Sequence, residues 1–270
     1  MKIAITVVEQ AAPLAPFVLR GPFADTIRQA GEIGFDAVEL HIPDPSDVSA
    51  QEIKRACQSA SVSVSSIGTG LAFVRDGLTL TSQDEAIRSK AIARLQAFIE
   101  LAGEIGGVVI VGLIRGLVRD VGDRGLFEQA LADALAACLP LAESRSVTLV
   151  LEAVNRYESD ILNTIAECAA FTGRFGSEHL KVHIDTFHMN IEEADIRASI
   201  AAAGPQIGHV HIADSNRHYP GRGHYDFHGT IAALRDAGYT GALSVECLSL
   251  PSPDEAARGA QTFLRDALAG

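Results

Sequence analysis

The chain has 270 residues, 47% of them apolar and 21% charged, a composition that supports one large globular core. Its formal net charge is −12 and its pI about 5.1, so the average surface repels nucleic-acid backbones and anionic lipid. No nucleic-acid partner and no membrane are expected. The start, MKIAITVVEQ, has too short an apolar run for a signal-peptide core or a span, which predicts a cytoplasmic protein.

Taken in order, short β-branched runs alternate with amphipathic stretches from end to end. KIAITVV is followed by a helical pattern from Pro22, AVELHI by one from Ser49, VSVSSIG by one from Asp84, and VVIVGLI by one from Asp123. VTLVLEAV then precedes a helix near Asn163, KVHIDT one near Ala194, HVHIAD one near Asp226, and ALSVECL a last one from Pro253. Helix ends are marked by Ser, Asp or Asn at the start and Gly at the close. The phrase AGEIG occurs at 30–34 and at 102–106, each time at a predicted helix end, and reads as the same turn chemistry used twice.

Eight strand–helix units without a composition break predict an α/β fold, a single (β/α)8 TIM barrel forming one domain over residues 1–270. The alternative is an open doubly wound sheet. That fold normally offers a glycine-rich nucleotide loop after its first strand, and none follows ITVVEQ. Cys57, Cys138, Cys168 and Cys247 lie far apart in apolar segments with no CxxC pair and read as reduced core residues.

Barrel enzymes build their sites at the C-terminal ends of the strands. The last four strands end on Glu152 in LVLEAVN, Asp185 in VHIDTFH, His211 in VHIADSN and Glu246 in SVECL, at separations of 33, 26 and 35 residues. Each separation is about one βα unit, so neighbouring strands deliver one metal-capable side chain apiece to one point. One such residue alone is better explained as a buried carboxylate with a partner; four in equivalent positions reverse that preference. Three carboxylates and an imidazole form a hard set suited to Mn²⁺, Co²⁺ or Mg²⁺. His183 and His209 precede Asp185 and His211 by two residues and are predicted one layer deeper on the same strand face, hydrogen-bonded in support. The segment HIADSNRHYPGRGHYDF is long for a βα connection and is predicted to be an ordered, functional loop. Its His218 and His224, and His228 just beyond, are read as solvent-exposed.

The segments EAVNRYESD, IDTFHMNIEEAD, HVHIADSNRHYPGRGHYDF and SVECLSLP resemble those of the D-tagatose 3-epimerase family, within the xylose isomerase-like barrels. The resemblance implies divalent-metal ligation by Glu152, Asp185, His211 and Glu246, usually with manganese. It also implies ketose contacts by Glu158, His188 and Arg217, and a dimer or tetramer. SIGTGLAFVRDGLTLTSQDEAIRSKAI and VVIVGLIRG are similar to a narrower branch acting on keto-sugar acids such as 5-keto-L-gluconate. Ala153 departs from the Glu-Pro more usual at that corner.

The expected function is a metal-dependent sugar epimerase that inverts the carbon beside the keto group of an unphosphorylated ketose or keto-sugar acid. Glu152 and Glu246 are the expected acid–base pair, with Glu158 holding or tuning Glu152. Arg115, at the end of the fourth strand, is placed to pair with a substrate carboxylate, or else is a surface arginine paired with Asp120 or Asp123. Alternatives on the same scaffold are an aldose–ketose isomerase of the hydroxypyruvate type and a 2-keto-inositol dehydratase. An endonuclease IV-like nuclease needs more metal ligands at the other strand ends and a basic face, and a non-catalytic sugar-binding barrel does not need four ligands.

Overall fold

The computed structural model describes all residues, 1–270. Eight parallel strands form the barrel: β1 Lys2–Val8, β2 Ala37–His41, β3 Ser63–Gly68, β4 Val108–Val111, β5 Leu149–Glu152, β6 Leu180–Asp185, β7 Ile207–Ile212 and β8 Ala242–Val245. Each pairs with the next, and β1 also pairs with β8 through Lys2–Ala242 to Ile5–Val245, which closes the ring. A two-residue segment, Leu19–Arg20, adds to the end of β1. The fold is the closed α/β barrel that the alternation predicts, not the open sheet.

The main helices are α1 Phe23–Ile33, α2 Ala50–Ala60, α4 Glu85–Ile105, α6 Arg124–Ser144, α7 Ile165–Gly173, α9 Ile196–Ala203, α10 Phe227–Asp236 and α11 Pro253–Ala269. Three shorter ones, α3 Gly70–Asp76, α5 Val118–Val121 and α8 Thr186–Glu192, sit in the loops above the barrel, and their length is too small for the pattern to reveal them. Starts follow side-chain caps: Ser49, Asp84, Asp123, Thr164, Asp195, Asp226 and Ser252 each accept a first-turn backbone N–H. The two AGEIG turns differ. Gly34 closes α1 in the left-handed region (φ 101, ψ 25), whereas Gly106 closes α4 at φ 89, ψ 179, so identical letters give different turns. Helix α6 has the length and apolarity of a membrane-crossing segment, but its Phe127, Leu131, Leu135 and Cys138 are spent in the core. All four cysteines are free and buried.

The upper interior of the barrel is polar. Thr6, Glu39, Ser66, His183, His209 and Ser244 are all buried, where branched aliphatic side chains are usual. Register irregularities fall at Val38/Glu39 between β2 and β3 and at Val182/His183 between β6 and β7. Such irregularities re-aim side chains near sites, and both occur at the step into this layer.

Candidate active site

Strand ends deliver the site. Glu152 and Asp185 are the last residues of β5 and β6, His211 is the penultimate residue of β7, and Glu246 follows β8 directly. Their ligand atoms converge: those of Glu152, Asp185 and His211 lie within 4.8 Å of one another. His211 Nδ1 is 3.8 Å from Asp185 Oδ2 and 3.5 Å from Glu246 Oε2. The Phe187 N–H donates to Asp185 Oδ1 at 2.7 Å, turning Oδ2 inward.

Asp185 Oδ2 and His211 Nδ1 are buried without a hydrogen-bond partner. Nearly all buried polar atoms are paired, so these two unpaired atoms, 3.8 Å apart, make the group a candidate for holding a cation. The donor set of three carboxylates and one imidazole, without a thiolate, fits a hard divalent ion.

The two glutamates titrate apart. Burial pushes the Glu152 carboxyl up to about 8, His211 opposing and Glu246 and Asp185 adding to the rise. Burial also raises Glu246, but the charges of His211 and Arg217 prevail and hold it at about 2. Without a bound cation the two carboxyls are thus pushed to opposite sides of their ordinary value. Burial lowers His211, yet Glu39 and Glu246 outweigh it and hold the imidazole well above its ordinary value. A cation bound between these groups would take the place of those protons.

Further out, His188 in the first turn of α8 is buried. Asn155 Nδ2 donates to its Nδ1 at 2.7 Å, leaving Nε2 to carry the proton. That Nε2 lies 3.8 Å from Glu152 Oε1 and 3.9 Å from Asp185 Oδ2. Arg217 donates to Glu158 Oε1 at 2.8 Å, approaches Glu246 Oε2 at 3.8 Å and lies 4.8 Å above the Phe187 ring. The loop carrying it is ordered by Asp214, whose carboxylate accepts the backbone N–H groups of Ser215, Gly221 and Tyr225. His224 and His228 are exposed and His218 half-buried.

A cavity of about 400 Å³ opens above these groups. It is lined by the polar Glu152, Glu158, His188, His211, Arg217 and Glu246 and by an apolar wall that includes Leu14, Phe17, Leu71 and Val74. That wall comes from the loop after β1 and from α3, neither of which the strand-end reading singled out.

Three expectations are revised. Arg115 neither lines the cavity nor pairs with Asp120 or Asp123: it is fully buried beneath the β5 corner. Its guanidinium donates to the main-chain carbonyl of Glu152, to Ser159 Oγ at 2.9 Å and to the Ile161 carbonyl at 3.3 Å. Glu158 has Arg217 and Asn155 as its partners, not Glu152; the support of Glu152 comes instead from Arg115. Of the two deeper histidines, His209 donates to Glu39 Oε2 at 2.8 Å, but neither ring nitrogen of His183 has a partner. His183 packs edge-on against His211, ring centroids 4.1 Å apart.

Glu39 and Asn155 were missed because neither ends a strand. The one available signal for Glu39 was an acidic residue in the middle of the predicted strand AVELHI, two positions before His41.

An eight-stranded barrel whose polar side chains converge at its C-terminal face has the architecture of the (β/α)8 enzymes. Residues 27–267 match the family model described as "Xylose isomerase-like TIM barrel", and the chain belongs to that family. It is 36% identical over 233 residues to an L-ribulose 3-epimerase of Mesorhizobium japonicum, covering 85% of this chain and 77% of that protein. It is 31% identical over 232 residues to a D-psicose 3-epimerase of Agrobacterium fabrum, covering 83% and 78%. A solved structure of an L-ribulose 3-epimerase superposes with a TM-score of 0.82 at 30% identity, covering 99% of this chain and 94% of that one. These relatives place the chain among the sugar epimerases, enzymes of the isomerase class.

Proposed function

We infer that this protein, one barrel domain over residues 1–270, is a divalent-metal-dependent ketose 3-epimerase for a small, neutral, unphosphorylated sugar. The carrying observation is the meeting of Glu152, Asp185, His211 and Glu246 around the unpartnered Asp185 Oδ2 and His211 Nδ1. Those four residues would hold the ion, with Mn²⁺ favoured by the hard donor set and Co²⁺ or Mg²⁺ compatible with it. The ion would supply Lewis acidity to the substrate's carbonyl and neighbouring hydroxyl oxygens, easing proton loss from the carbon that bears the hydroxyl.

Every other part of the reaction falls to the chain. Glu152 and Glu246 come from strands separated by β6 and β7, so they address the substrate from two sides, one removing the proton and the other returning it. His188 Nε2–H and the Arg217 guanidinium are donors for the substrate oxygens. A neutral sugar is favoured because Arg217 is the cavity's one guanidinium and no lysine lines it. That guanidinium already faces Glu158 and Glu246, and Arg115 is committed elsewhere.

NMR of a ketose panel incubated in D₂O with Mn²⁺ tests the reading. Deuterium is expected at C3 together with the C3 epimer, and E152Q and E246Q are each expected to slow both by about 10²–10⁴-fold. Wild-type exchange in both variants would remove the acid–base assignment, and a product with a moved carbonyl or lost water would remove the epimerase reading.

A further inference from the structure

One carboxylate in the barrel has no part in the roles above. Glu39 is wholly buried one layer beneath the rim, and no Lys or Arg is among its partners. Its Oε1 accepts Nε2–H of His41 at 2.8 Å and of His211 at 2.7 Å. Its Oε2 accepts Nε2–H of His209 at 2.8 Å and the Ser66 hydroxyl. With both oxygens occupied, Glu39 is not an open ligand, although it clusters with His41 and Glu246. β2 and β7 are not neighbours in the ring, so the bonds to His209 and His211 cross the barrel interior.

Burying a carboxylate is costly unless it is fully hydrogen-bonded, and an apolar side chain would serve folding alone at less cost. What the carboxylate does that an apolar group cannot is dictate where imidazole protons reside. It only accepts, so the His211 nitrogen facing it must carry hydrogen, and in the neutral ring the lone pair is then on Nδ1. That is the atom buried without a partner between Asp185 and Glu246.

We propose that Glu39 is a positioning residue that locks His211 in the Nε2–H tautomer and aims its Nδ1 lone pair at the bound divalent cation. This rests on the reading of the rim as a cation site. Imidazole ligands whose far N–H is held by a carboxylate bind metal about 10–100-fold more tightly than those without it.

The test is calorimetric titration of the metal-free full-length protein with Mn²⁺, for wild type, E39Q and H209Q, alongside urea unfolding of each in EDTA. H209Q is the control because His209 bonds the other oxygen of Glu39 and meets His211 only edge-on, ring centroids 5.4 Å apart, with no hydrogen bond to it. E39Q is expected to raise the Mn²⁺ Kd about 10–100-fold, with H209Q close to wild type. ¹⁵N–¹H correlation of the Mg²⁺-loaded protein is expected to show the His211 proton on Nε2 in wild type and a tautomer mixture in E39Q. Should E39Q not fold, E39D takes its place. Wild-type affinity and an unchanged His211 spectrum in the folded Glu39 variant would overturn the proposal, as would an equal loss of affinity in H209Q. A wild-type protein that binds no Mn²⁺ would remove the cation reading itself, and the proposal with it.

Discussion

His211 turns Nδ1 toward Glu246 Oε2 at 3.5 Å while its Nε2 is held by Glu39 at 2.7 Å. The imidazole thus links a deeper carboxylate whose two oxygens are both hydrogen-bonded to a rim where Asp185 Oδ2 has no partner. The rim's deficit is of positive charge, and that governs how the protein should respond to metal, pH and substitution.

A cation bound only by the folded state adds RT ln(1 + [L]/Kd) to stability, about 2.7 kcal/mol at a hundred times Kd. Wild type in Mn²⁺ should gain this over the same protein in EDTA, measured by urea unfolding. D185N, which removes the carboxylate charge and leaves one neutral amide oxygen beside an NH2 group, should gain little. An equal gain in D185N would exclude Asp185 as a ligand.

Metal-free stability should depend on pH in two opposed ways. The folded pKa of Glu152, about 8, lies above its ordinary 4.5, so the folded state keeps the proton longer than the unfolded chain. Its contribution is complete below about 4.5 and is lost as pH rises through about 8. Glu246, held at about 2 from an ordinary 4.5, contributes above 4.5 and loses that contribution as pH falls toward 2. In EDTA, E152Q should therefore flatten the alkaline side of the stability profile and E246Q the acid side. An unchanged alkaline slope in E152Q would assign that slope to another group.

Arg115 supports the end of β5 from below. R115M leaves the Glu152 and Ile161 carbonyls and the Ser159 hydroxyl without this donor, and should cost roughly 2–5 kcal/mol of unfolding free energy. The ratio of activity on a neutral ketose to that on the matching keto-uronate should not change. A selective loss on the uronate would return Arg115 to the substrate.

Gly112, at the end of β4, has the Glu152 carboxylate where a Cβ would stand. G112A should push Glu152 Oε2 aside and raise the Mn²⁺ Kd by roughly tenfold or more, with metal-free stability changed by no more than about 1–3 kcal/mol. Calorimetry beside urea unfolding separates the two effects. An unaltered Kd would show that Glu152 moves freely or does not bind the ion.

The amino-acid sequence by itself determined the barrel and the four rim groups. Strand period, helix caps and the near-constant length of a βα unit are local properties, and side chains at equivalent strand ends of a closed barrel must meet. The tertiary structure alone decided what stands behind them. Glu39 reaches His211 across the barrel, between strands that are not neighbours and residues far apart in the chain, a contact with no spacing signature. Arg115 stands at a strand end in the sequence as an active-site arginine would. It turns inward because the carbonyls of Glu152 and Ile161 offer its guanidinium acceptors in a buried corner that only packing creates.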